Sequence, residues 1–154
     1  MKNKKILSRT SMHEVGIVYK RPLFDDMPHI SNSEDVYSLM KNIIDMDTLD
    51  YKEHFWVILL NNSNRVLGCS EIARGNTTGV FVNTKEILHL ALMSNSTSII
   101  LCHNHPSGTL KPSCSDKKIT KKIESITKLF DINVLDHIII TSEFYYSFAD
   151  EGQL

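Results

Sequence analysis

Phe55-Trp56-Val57-Ile58-Leu59-Leu60 is an unbroken apolar run, rich in β-formers and bounded on its far side by Asn61-Asn62-Ser63-Asn64. A run this short, closed by a polar turn, reads as a strand buried on both faces, so other elements must cover both sides of its sheet. Residues 65–74 then return as the second arm of a hairpin. Two further runs repeat the theme. Ile99-Ile100-Leu101, within residues 98–102, is a short buried strand, and residues 134–140 form another, with 144–148 as its hairpin partner.

Helical periodicity separates these strands. Residues 31–45 place Val36, Leu39, Met40, Ile43 and Ile44 on one face, and Ser31 with Glu34 matches a capping box. Asn83 caps a second helix, with Glu86 three residues on and Ile87, Leu88, Ala91 and Leu92 as its apolar positions. Ser113 opens a third, with Ile119, Ile123, Ile126, Leu129 and Phe130 on one face. Residues 10–19 are expected as an edge strand, 75–79 as a turn and 80–82 as a short strand. The sum is an α/β fold, a mixed β-sheet flanked by helices in a single domain. Residues 1–31 form an N-terminal edge strand and loop, and residues 32–150 the domain itself. At 154 residues with 42% apolar and 23% charged residues, the chain can bury a core without staples.

The chemistry concentrates in Cys102-His103-Asn104-His105-Pro106-Ser107-Gly108, followed by Ser113 and Asp116. Residues i and i+2 of a strand point to the same side, so His103 and His105 can reach one ion. The 106–108 turn leads to the helix opened by Ser113, whose first turn carries Asp116 back toward the strand end. Two imidazoles and a carboxylate suit catalytic zinc, which takes three protein ligands and keeps a fourth position for water. Taken singly these residues are unremarkable, because Ser at an N-cap and an acid at N3 also favour a helix start. The combination carries the reading.

His103-x-His105-x7-Ser113-x-x-Asp116 resembles the JAMM (MPN) metalloprotease motif at every defined position, and Glu53 stands where that motif has its upstream glutamate. Glu53-His54-Phe55, Ser70-Glu71-Ile72-Ala73-Arg74-Gly75, His103-Asn104-His105-Pro106-Ser107-Gly108 and Asp136-His137-Ile138-Ile139-Ile140 look like the RadC family of bacterial proteins. The resemblance covers about residues 32–148. It implies a cytidine-deaminase-like α/β sandwich, one zinc per chain held by His103, His105 and Asp116, and hydrolysis of a peptide or isopeptide amide. Glu53 would be the general base, passing its proton to the leaving amine, and Ser113 would donate a hydrogen bond to the oxyanion. Both roles make physical sense beside a metal.

Other readings compete at particular residues. Glu71 is a rival base that is equally a partner for Arg74; the spacing of the motif favours Glu53. Cys102 points away from His103 and is expected in the core, Cys114 is expected to have no chemical role, and Asp136 and His137 are read as structural, with contact to a ligand from behind as the lesser reading. RadC proteins commonly carry a helix-hairpin-helix region of the kind that touches DNA. The residues before the first helix here show no such pattern, so the catalytic domain alone is expected. Lys+Arg 17 against Asp+Glu 18 gives a net charge of −1, which argues for a protein or peptide substrate over nucleic acid. Lys2, Lys4 and Lys5 are read as a solvated tail. A DNA-repair-associated nucleic-acid protein and a non-catalytic scaffold are the alternative functions. Three cysteines in no pairing pattern suggest a reducing, cytoplasmic setting. No run approaches the ~20 apolar residues of a membrane span, and no signal peptide or membrane association is expected.

Overall fold

A computed structural model describes residues 16–75 and 81–154. Its centre is a mixed five-stranded sheet of β1 (His54–Leu60), β2 (Val66–Arg74), β3 (Ser98–Asn104), β4 (Asn133–Ile140) and β5 (Tyr145–Ser147), in the order β2-β1-β3-β4-β5. Only β3 and β4 run parallel. Parallel neighbours need a crossover, and α3 (Cys114–Lys128) supplies it. Among the described residues the other α-helices are α1 (Ser33–Ile43) and α2 (Thr84–Met93).

The apolar run reads out as expected. Every residue of β1 is buried, because the sheet is covered on both sides. Trp56, Ile58, Leu60, Ile100, Cys102, Ile138 and Ile140 face Val36 and Met40 of α1. Phe55, Val57, Leu59, Ile99 and Leu101 face Ile87 and Ala91 of α2 and Ile123 of α3. Strand alternation thus sorts the sheet into an α1 side and an α2–α3 side. The β1–β2 turn is closed by the Asn61 side chain, which accepts from Ser63 N at 2.9 Å and Arg65 N at 3.0 Å, and by Asn64 at φ 53°. Asparagine tolerates that left-handed backbone better than most residues.

Several expectations need correction. The first helix is capped by Asn32, not Ser31: Asn32 accepts from Asp35 N at 3.0 Å, while Asp35 accepts from Ser31 N at 2.7 Å. The cap sits one residue later because Asn caps as well as Ser, and Asp35 reaches back past it to the Ser31 N–H, so no reciprocal box forms. The helix ends at Ile43, which is 46% exposed; Ile44 is extended, and Asp45 caps a short 3₁₀ turn at Met46–Thr48. In α2, Leu92 is exposed and Leu90 packs against the core instead. In α3, Leu129 and Phe130 lie beyond the helix end and are exposed; the chain turns at Asp131 and buries Ile132 in their stead. The buried face of α3 is Asp116, Thr120, Ile123 and Thr127, more polar than an apolar stripe would be. Residues 16–19 of the expected edge strand are not a strand, and Ile17 and Val18 are exposed. The rest of that strand, the three N-terminal lysines, residues 76–79 of the turn and residue 80 of the next strand lie outside the described residues; Phe81 and Val82 are not in a strand. Among the described residues no helix is long and apolar enough to cross a membrane.

Candidate metal centre

The site forms where β3 leaves the sheet and α3 begins. His103 pairs across β1 with Phe55, whose ring stacks on it at 6.1 Å. Both belong to the α2–α3 side by alternation. His105 N still donates to Ile140 O at 3.0 Å, so the ladder holds both histidines in strand-like phase. Gly108, at φ +76°, then turns the chain, its N–H donating to His105 O at 3.0 Å. That left-handed conformation is easy only for glycine.

Ser113 caps α3, and both halves of the capping box are present: Ser113 Oγ accepts from Asp116 N at 3.1 Å, and Asp116 Oδ2 accepts from Ser113 N at 2.6 Å. The helix-start reading and the site reading therefore hold together, because the cap is what aims the Asp116 carboxylate. His103 Nε2 and His105 Nε2 lie 2.9 Å apart; Asp116 Oδ1 is 3.4 Å from the first and Oδ2 is 3.5 Å from the second. One donor atom from each residue falls within 4.8 Å of the others. Ligands about 2.0–2.2 Å from a tetrahedral zinc stand roughly 3.3 Å from one another. The donor set and its spacing fit a divalent ion of this kind. Burial alone would raise the Asp116 carboxyl, but the imidazoles of His103 and His105 beside it and the N–H of Ser113 outweigh burial and hold the carboxyl well below the usual range. It is thus an anion, as a ligand must be. His105 is raised, chiefly by the Asp116 carboxylate beside it and against the pull of burial.

Glu53 and Ser113 line the same cleft, of about 580 Å³, together with Phe55, His103, His105 and Asp116. Glu53 lies two residues before Phe55, on the ligand side of β1. Its carboxyl is raised, first by burial and further by the Asp116 charge, with His103 and His105 opposing. Glu71 is elsewhere. It pairs with Arg74 and, at 3.2 Å, with His54, beside a separate pocket. Burial would raise it, yet the bonds from Arg74 and His54 lower it. Cys102 is buried on the α1 side and Cys114 is exposed at the start of α3.

Two contributors, Asn104 and Thr120, carry no signal in the sequence, and a third, His137, carries only a weak one. Asn104, fully buried between the histidines, points the other way: it accepts from His54 N at 2.7 Å and donates to Leu49 O at 2.6 Å and Lys52 O at 2.7 Å. It clamps the segment that delivers Glu53. His137, for which contact with a ligand is the lesser of the two sequence readings, meets His103 Nδ1 through its Nε2 at 2.7 Å and Thr120 Oγ1 through its Nδ1 at 2.6 Å. Burial, with His103 adding, holds His137 well below the ordinary imidazole range, so it stays neutral. Thr120 falls on the buried face of α3, where a polar residue interrupts the apolar stripe and gives no signal of its own. Asp136 is structural: it accepts from Ser147 Oγ at 2.6 Å, His137 N at 2.7 Å and Ala149 N at 3.0 Å.

Comparison with known proteins agrees with this architecture. The RadC-like JAB domain profile matches residues 30–153. A UPF0758 protein of Flavobacterium johnsoniae is 46% identical over 123 residues, 80% of this chain and 52% of the relative. One of Clostridium acetobutylicum is 43% identical over 103 residues, 67% and 45% respectively. One of Chlorobium phaeovibrioides is 34% identical over 125 residues, 81% and 55%. The chain spans about half the length of the curated relatives it matches. With the profile covering most of the chain, and the paired histidines and capped aspartate at the strand–helix junction, the chain belongs to the RadC-like JAB domain family.

Proposed function

We propose that this chain is a zinc-dependent hydrolase that cleaves a peptide or isopeptide amide in a protein or peptide substrate. The observation that carries the reading is the convergence of His103, His105 and Asp116 in one cleft that a half-buried Glu53 also lines. When bound, a divalent ion supplies Lewis acidity and acidifies a neighbouring water. Glu53 takes the proton of the attacking water, and its raised carboxyl makes it a stronger base than a free carboxylate. The same carboxyl returns the proton to the leaving amine. Ser113 uses its oxygen as the helix cap, which leaves its hydroxyl proton free to donate toward a developing oxyanion. Phe55, Val82 and Ile119 give the cleft an apolar wall for the chain flanking the scissile bond. The free thiols Cys69, Cys102 and Cys114 favour a reducing compartment, the cytoplasm.

Metal content of protein purified without added metal or chelator tests the centre. The expected result is about one zinc per chain, and none in a His103→Ala/His105→Ala double variant. Wild-type protein that stays metal-free after zinc is offered would remove the basis for the enzyme.

A second reading, a DNA-repair-associated protein that binds nucleic acid, is favoured by one observation that the overall charge conceals. Lys117, Lys118, Lys121 and Lys122 are exposed along α3, and Lys118 and Lys122 line the cleft. Among the described residues none of the four is in an ion pair. If a phosphate backbone runs along α3, a gel-shift titration should show binding that weakens steeply with salt and is lost when the four lysines become alanine. Absence of binding at low salt would dispose of this alternative.

A further inference from the structure

His137 is fully buried beneath His103 and does not line the cleft, yet the two rings are in contact through their nitrogens. The protons in this chain of contacts can be assigned in order. Thr120 Oγ1 lies 2.6 Å from the backbone oxygen of Asp116, which can only accept, so the single hydroxyl proton goes there. Thr120 Oγ1 must then accept from His137 Nδ1, 2.6 Å away. His137 is fully buried and, among the described residues, paired with no carboxylate that would hold a second proton, so with its proton on Nδ1 it offers a lone pair at Nε2, and His103 Nδ1–H donates to it across 2.7 Å. His103 is left with a lone pair at Nε2, the atom that faces the cleft. His105 reaches the same state by a shorter route, since its Nδ1 lies 2.6 Å from Thr109 O, an acceptor only.

We propose that His137 and Thr120 are positioning residues that fix the proton of His103 on Nδ1 and so present its Nε2 lone pair to a metal ion. This rests on the metal reading of the cluster. The pair does a second job in the same stroke. It links His103 on β3 to the backbone of Asp116 on α3 through two side chains, so two of the three ligands are tied together before any ion arrives. A ligand histidine usually donates its far N–H to a carboxylate or carbonyl. Here the acceptor is another histidine, whose own orientation depends on one threonine hydroxyl. Remove that hydroxyl and His137 loses the acceptor that keeps its proton on Nδ1. His137 can then carry the proton on Nε2 and donate to His103, which pushes the His103 proton to the cleft-facing nitrogen, where it blocks an ion.

The test compares wild type with Thr120→Val, which keeps the shape, and Thr120→Ser, which restores the hydroxyl. Zinc alone is the probe, titrated against a chromophoric chelator. Thr120→Val should weaken zinc binding by about 10–100-fold, and Thr120→Ser should recover it, with thermal melts establishing that each variant is folded. Long-range nitrogen–proton spectra of the metal-free proteins read the tautomer directly. Wild type and Thr120→Ser should hold His103 as the Nδ1–H form, and Thr120→Val should shift it toward Nε2–H. A wild-type His103 found as Nε2–H overturns the proposal without any variant. So does a Thr120→Val protein with wild-type affinity and an unchanged spectrum. If wild type binds no zinc, the metal reading falls, and the spectra alone then uphold or overturn the tautomer assignment.

Discussion

Glu53→Gln should leave zinc binding at wild-type level and slow hydrolysis of any amide that the wild type cleaves by about 10³-fold, inside the 10²–10⁴ that a positioned general base contributes. The amide keeps the shape of the carboxylate and fills the same place beside His103 and His105, so the cleft should not reorganise. What it cannot do is take a proton. The three residues whose donor atoms converge are His103, His105 and Asp116, and Glu53 stands apart from them in the cleft wall. Metal content should thus be insensitive to the change. Steady-state hydrolysis of a peptide or isopeptide substrate, with zinc measured in the same preparation, checks both halves. Full activity in Glu53→Gln would mean that proton transfer runs through another group and would sink the proposed mechanism.

Asn104→Ala should destabilise the protein by about 3 kcal/mol, the consequence of stranding several buried backbone groups at once. His54 N, Leu49 O and Lys52 O all lose their partner, and Asn104 is fully buried, so water has no easy route to replace it. For a chain of this size that corresponds to a melting temperature lower by roughly 6–12 °C. The chemistry should suffer separately. Asn104 ties residues 49–54 to β3, and Glu53 rides on that segment. The folded fraction of Asn104→Ala should therefore keep its zinc and hydrolyse more slowly than wild type. A thermal melt within 2 °C of wild type would show that the three bonds are dispensable and that Glu53 is held in place by other means.

Much of the fold was legible because burial on two faces leaves a plain signature. The β1 run and the Asn-rich turn were read with their limits correct to a residue, and the helix starting after Ser113 fell where its capping box placed it. The ends of elements were harder. Asn32 and Ser31 are both good caps, and only the position of Asp35 decides between them. Leu129 and Phe130 continue a helical period in sequence, but α3 ends before them, and Ile132 takes the core position after a left-handed residue at Asp131. The convergence of the two histidines with Asp116 follows from strand alternation and a helix cap, both local. The roles of Asn104, His137 and Thr120 do not, because each depends on a partner far along the chain. A buried asparagine between two histidines looks like a spacer, and a threonine on a helix face looks like ordinary surface until the neighbouring strand is in place.

The β1–β3 pairing has a consequence of its own. His103 and His105 face α3 while Asn104 between them faces the opposite layer, so three successive residues serve two different sides of one sheet. A slip of one residue between these strands exchanges the sides. Both imidazoles would enter the oily layer under α1, and the asparagine amide would stand alone in the cleft. Strand register is therefore as much a part of the active constellation as any side chain. The apolar contacts that set it, deep in the sheet and remote from any substrate, are where the accuracy of the centre is decided.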